Sequence, residues 1–153
     1  MRNKILSVFA LGALMAACET APTDNGQVNV ASAPVPGSAE DFKANIKDRV
    51  FFGFDKHNLS PEAKKTLDAQ AGWLKTYPNV KATIEGHADV RGTREYNLAL
   101  GEKRANSVKK QLATDGVSKD RLDVVSYGKD KPFDGGTDEA AHAANRVVLT
   151  TVK

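Results

Sequence analysis

The chain has 153 residues, enough for one domain with appendages. Its formal net charge is +3, with acids and bases mixed rather than blocked, which leaves no basic footprint for nucleic acid. The single cysteine, Cys18, excludes an internal disulfide framework and any cysteine-based zinc cluster.

In chain order, the first element is "MRNKILSVFALGALMAAC". A basic start, an apolar run from Ile5 to Leu14 and small residues before Cys18 make residues 1–17 a secretory signal peptide. The run is short for a spanning helix, so an uncleaved anchor is the weaker alternative. Removing the leader takes Arg2 and Lys4 with it and leaves the mature chain near +1. The stretch "LMAAC" resembles the lipobox of bacterial lipoproteins, with Met15 where Leu is usual. That resemblance implies that Cys18 is diacylated, freed by cleavage before it, and acylated on its new N-terminus. Several buried acyl chains, at roughly 0.8 kcal/mol per methylene, make a stable anchor. Glu19 is not the Asp that the resemblance links to inner-membrane retention, so the outer membrane is the expected address. Residues 18–44 read as the lipidated cysteine and a flexible tether, rich in Ala, Pro, Ser, Thr and Gly without an apolar period. About 25 such residues reach at most roughly 80 Å when extended.

From residue 45 to 153 the pattern becomes that of a folded head. "RVFFGF", Arg49 to Phe54, is a short apolar run and reads as a buried strand. Ser60, Pro61 and Glu62 supply an N-cap, a first-turn proline and an acid. Ala63, Leu67, Ala71 and Leu74 then share one helical face, and Tyr77-Pro78-Asn79 ends that helix. "VKATIEG" alternates as a half-exposed strand. A second helix is expected over Arg94 to Thr114, with Leu98, Ala105, Val108 and Leu112 on its buried face and Asp115-Gly116 as its stop. "LDVVSYG" and "RVVLTTV" are further strands, separated by turn chemistry with room for a short helix. The order β-α-β-α-β-(short α)-β predicts a two-layer α/β sandwich: a mixed four-stranded sheet with helices on one face.

One polar stretch stands apart. "GHADVRGTREYN", Gly86 to Asn97, is too polar for core and runs straight into the second helix. As an enzyme site it is thin. His87 and Asp89 leave the same side of a strand end and would need His57 or His142 to complete a metal site. H-E-x-x-H, G-x-S-x-G and P-loop patterns are all absent. His87 reads better as a hydrogen-bonding residue that fixes the loop. As a binding site the stretch has more to offer. Asn97 and Arg104 are seven apart on the helix, on one stripe that borders the buried face. Asp89 lies in the loop before it. A carboxylate and a guanidinium at one helix start suit a free amino-acid centre, with the guanidinium forking the ligand carboxylate. Gly92 lets backbone come close. On spacing alone, an internal salt bridge or two solvated charges is the stronger reading of Asp89 and Arg104, and the clamp the weaker. If they form a clamp beside the apolar face, losing either should cost ligand and spare the fold.

Four blocks, "VFFGFDKHNLSPEA", "EGHADVRGTREYNLALGEKRANSVKKQL", "SYGKDKP" and "AANRVVL", resemble the OmpA C-terminal-like, peptidoglycan-binding family over about residues 49 to 152. The family pattern N-x-x-L then R-A-x-x-V is met by Asn97, Leu98, Arg104, Ala105 and Val108, with Leu98 one place earlier than in many members and Leu100 at the usual place. Val147 departs from the usual Asn-Arg-Arg. The resemblance implies a non-enzymatic clamp on the peptidoglycan stem peptide, centred on diaminopimelate, with no cofactor, metal or catalytic residue. Carried over by position, Asp89 and Arg104 grip the diamino-acid centre. Asn97, Leu98, Phe54 and Asp55 line the pocket, and Gly92 and Thr93 contribute backbone. The resemblance also implies a place in the Tol system, with TolB competing for the same face, and support of envelope integrity and cell division. A pure Tol-system docking module without wall binding is the alternative.

Overall fold

The computed structural model describes residues 33–153. The leader, Cys18 and most of the expected tether lie outside the described residues. Among the described residues no helix is long and apolar enough to cross a membrane.

The elements are α1 (Ala39–Asn45), β1 (Arg49–Phe51), α2 (Pro61–Thr76), β2 (Ala82–His87), α3 (Arg94–Thr114), a 3-10 turn (Lys119–Arg121), β3 (Leu122–Gly128), α4 (Glu139–Asn145) and β4 (Val147–Val152). The strands form one mixed sheet in the order β1-β4-β2-β3, with β2 and β3 parallel and the other pairs antiparallel. Register puts the apolar alternates on one face: Ala82 lies between Val152 and Leu122, and Ile84 lies beside Val124. That face packs on Leu67, Ala71 and Leu74 of α2 and on Ala105, Val108 and Leu112 of α3, all buried. This is the two-layer architecture that the alternating periods predict. α3 comes unusually close to β2. A Cβ on Gly86 would sit 1.9 Å from the Gly101 carbonyl oxygen, so two glycines let helix and strand backbones touch.

The first strand is shorter than expected. β4 starts at Val147 and leaves β1 three residues to pair with, the last being Phe51 opposite Val147. Phe52 N–H still reaches the Arg146 carbonyl at 2.8 Å, and the chain then turns, with Lys56 N–H donating to Gly53 O. Phe54 and Asp55 therefore stand in a turn, and Asp55 adopts a left-handed φ of 54°. On α3 the buried face is Asn97, Leu100, Arg104, Ala105, Val108 and Leu112; Leu98 is half-exposed, one step off it.

The head also begins earlier than residue 45. Ser38 caps α1 by accepting from Asp41 N–H at 3.1 Å, and Phe42 is buried against Trp73, ring centroids 4.9 Å apart. Asp41 accepts from Gly37 N–H (2.9 Å), Asn45 Nδ2 (2.7 Å) and Trp73 Nε1 (3.0 Å). The Gly37 N–H is the strongest of the influences on this carboxyl. Burial opposes it, but with the Trp73 and Asn45 donors it holds Asp41 below the usual carboxylate range. A carboxyl lowered in the folded state stabilises above its unfolded value, and that contribution is lost as pH falls through the folded one. Acidification below about pH 4 should therefore loosen α1 and change the emission of Trp73, the only tryptophan. Asp41→Asn should flatten that acid limb, and fluorescence against pH checks it.

Candidate functional site

The site lies where the β2 end, the start of α3 and the turn after β1 meet. Past β2 the chain stays tied to β3, with Ala88 N–H donating to Gly128 O at 2.8 Å. The loop that follows is fixed from three sides. Lys129 Nζ donates to Gly92 O at 2.7 Å, and Asn97 Nδ2 donates to Arg91 O at 2.8 Å and to Thr93 O at 3.1 Å. Thr93 caps α3 by accepting from Tyr96 N–H at 3.2 Å. Gly92 turns the loop at φ 93°.

Arg104 is fully buried and is the largest such side chain. It is in the packed face of α3, not beside it, because three backbone carbonyls from distant segments satisfy it. Nε donates to Lys56 O (2.8 Å), Nη1 to His87 O (2.8 Å) and Nη2 to Gly53 O (3.1 Å). A guanidinium has five N–H groups, so one on each Nη remains for a ligand. Burial lowers its pKa to about 10, against the nearby Asp89 charge, and it stays protonated at neutral pH.

Asp89, 4% exposed, does not pair with Arg104. Its Oδ2 meets Arg91 Nη2 at 2.5 Å and Arg146 Nη1 at 3.4 Å, and its Oδ1 accepts from Arg91 N–H at 3.2 Å. Burial pushes this carboxyl up, but the hydrogen bonds and charge of Arg91, together with the Arg146 hydrogen bond, hold it below the usual range. Glu139 closes the ring, holding Arg146 at 2.8 Å and Arg91 at 3.3 Å. Arg146 also donates from Nε to Phe52 O at 3.1 Å. The Arg91 guanidinium spans the opening, 4.2 Å from the Phe54 ring centroid.

Between these groups is a pocket of ≈ 180 Å³, the scale of one amino-acid centre. Six expected residues line it: Phe54, Asp55, Asp89, Gly92, Asn97 and Arg104. Arg91, Tyr96 and Leu100 line it too and were not anticipated. Leu98 and Thr93 are outside the lining. Leu98 sits over Gly128, where a Cβ would lie 2.8 Å from Leu98 N, and its carbonyl accepts from Ser126 Oγ at 2.7 Å. Thr93 acts as a helix cap. Arg146 is the other unanticipated member, and the only sequence signal for it was its place in "AANRVVL".

His87 turns away from this pocket. Its ring packs against Phe133 and Tyr127, centroids 4.7 and 5.4 Å apart, and Nδ1 hydrogen-bonds with Lys131 O at 3.1 Å. Burial lowers its pKa, which favours the neutral ring. It therefore does not converge with Asp89, and among the described residues no His, Cys, Asp and Glu cluster is arranged to hold a metal.

The fold is a two-layer α/β domain carrying a small, charged pocket at one end of the sheet. The model of the OmpA family matches residues 51–146. The peptidoglycan-associated lipoprotein of Agrobacterium fabrum is 40% identical over 99% of this chain and 88% of its own length. That of Pasteurella multocida is 40% identical over 94% of this chain and 93% of its own. The crystal structure of the peptidoglycan-associated lipoprotein from Burkholderia pseudomallei superposes with a TM-score of 0.69 at 40% identity, covering 70% of this chain and 91% of that one. The C-terminal domain of Helicobacter pylori MotB shares the fold at a TM-score of 0.66 and 20% identity, covering 70% of this chain and 84% of that one. The chain belongs to the OmpA family.

Proposed function

We propose that this protein is an outer-membrane lipoprotein whose periplasmic head binds the peptidoglycan stem peptide, without catalysis, and so ties membrane to wall. The observation that carries the reading is the presence, in one pocket, of a buried carboxylate and, unpaired with it, a buried guanidinium that keeps two N–H groups uncommitted. The diamino-acid centre of diaminopimelate offers both an ammonium and a carboxylate. Arg104 forks the carboxylate. The ammonium takes the place of the Arg91 guanidinium on Asp89. Arg91 is free to swing out, since 38% of its side chain is exposed, whereas Arg146, with 9%, stays. Asp89 is thus neutralised before and after binding, and the exchange leaves no buried charge unpaired.

The relatives named peptidoglycan-associated lipoproteins support the wall as the target. The family resemblance supports a place in the Tol system, with TolB as a partner at the same face. No cofactor is required for a clamp. Purified sacculi should retain the protein, and free diaminopimelate should release it, with no muropeptide freed in the process. Release of muropeptides by the protein, or sacculus binding indifferent to excess diaminopimelate, contradicts the reading.

The anchor is tested separately. Cys18→Ala should leave a longer precursor that takes up no palmitate label and no longer fractionates with the outer membrane. Continued labelling and co-sedimentation would overturn the lipid anchor.

A further inference from the structure

A second hollow, of ≈ 220 Å³, lies directly beside the pocket and shares Asp55, Tyr96 and Leu100 with it. The divider is the hydrogen bond from the Tyr96 hydroxyl to the Asp55 carboxylate. On the far side Lys103 and His57 complete the lining. Tyr96, Leu100 and Lys103 stand at i, i+4 and i+7, one stripe of α3. Asn97, Leu100 and Arg104 make the neighbouring stripe. Consecutive residues Lys103 and Arg104 therefore line adjacent hollows.

The charges differ in availability. Around the first pocket Arg91, Arg94 and Arg146 each hold an acid. Lys103 is exposed and makes no ion pair among the described residues. Asp55, the one acid in the second lining, is engaged by Tyr96. What remains is an uncommitted ammonium and an imidazole over an apolar floor of Ala99 and Leu100. The two hollows share a wall, so a ligand seated in the first can extend along its own chain into the second. We propose that the second hollow is a subsite for a carboxylate on the residue adjacent to the diamino-acid centre, held by Lys103 with His57 beside it. This rests on the clamp reading of the first pocket.

The test is calorimetric titration of the detergent-solubilised mature protein, wild type and Lys103→Ala. The probes are free diaminopimelate, the tripeptide Ala-γ-Glu-diaminopimelate with the glutamyl carboxylate free, its amidated form, and diaminopimelyl-alanine. One of the two probes with a neighbouring free carboxylate should bind wild type about threefold to tenfold tighter than diaminopimelate, the size of a solvent-edge ion pair. The probe that gains identifies which neighbour is held. Lys103→Ala should lose that gain and bind free diaminopimelate unchanged. If the glutamyl carboxylate is the source, amidation should abolish the gain in wild type and do nothing in the variant. A gain that survives Lys103→Ala, or no gain with either probe, overturns the subsite and leaves the clamp standing. Wild type that binds no probe overturns the clamp and the subsite together.

Discussion

Arg104→Ala should lower the melting temperature of the protein on the order of 10 °C, the equivalent of about 2–4 kcal/mol in a domain of this size, the orphaned carbonyls and the void outweighing the relieved cost of burying the charge. The sequence expectation was that this change would strip ligand and spare the fold. Burial reverses that. The guanidinium ties the turn after β1, through Gly53 and Lys56, to the end of β2 at His87. Removing it leaves three carbonyls without their donor, each costing about 1–3 kcal/mol when dry, and opens a void beneath Phe52, whose ring lies 5.3 Å from the guanidinium carbon. Water entering from the pocket returns part of this. Arg104→Lys should fall between, since an ammonium cannot span three acceptors in the guanidinium plane. Circular dichroism melts of the three proteins give the order directly. A melt of Arg104→Ala within about 3 °C of wild type, under 1 kcal/mol, would mean that the guanidinium is not a fold-bearing group.

Asp89→Asn should instead separate binding from folding. The amide keeps the shape of the carboxylate and an oxygen for the Arg91 N–H, and Glu139 still holds Arg146. The cost to stability should be a few degrees at most, from three guanidiniums left with one acid fewer. The cost to binding should be far larger, because the ligand ammonium loses its partner in a desolvated site. That loss is on the order of 2–5 kcal/mol, more than tenfold in affinity. Acid should mimic the mutation. The Asp89 carboxyl is held low in the folded protein, so binding should persist above the usual carboxylate range and fall only as pH drops through the lowered value. The variant should lack that acid limb.

The periodic elements were legible in the chain. α2, α3 and β3 follow from caps and apolar spacing, and the mixed two-layer sheet follows from their order. α1 was hidden by its composition. Its signal, Ser38 three residues before Asp41 and then an apolar Phe42, is a capping pattern inside an Ala-Pro-Ser-rich stretch. Trp73, which anchors α1 through Asp41, is 32 residues away. The site was legible in its local part, since Asp89, Gly92, Asn97 and Arg104 fall within one block. Its non-local part was not. Arg146 reaches Asp89 across 57 residues, and the acceptors of Arg104 lie 17, 48 and 51 residues away. Helical spacing places a side chain on a stripe. It does not say whether remote carbonyls will be waiting there to make burial of a charge tolerable. The same blindness made Leu98, rather than Leu100, look like the buried leucine.

The claim that Asp89 and Arg104 act as one clamp is tested most directly by titrating free diaminopimelate into wild type and Asp89→Asn, with a melt of each sample. Wild type should saturate with one ligand per chain, and Asp89→Asn should melt within a few degrees of it yet bind more than tenfold more weakly. A folded Asp89→Asn protein that binds diaminopimelate as wild type does would contradict the account.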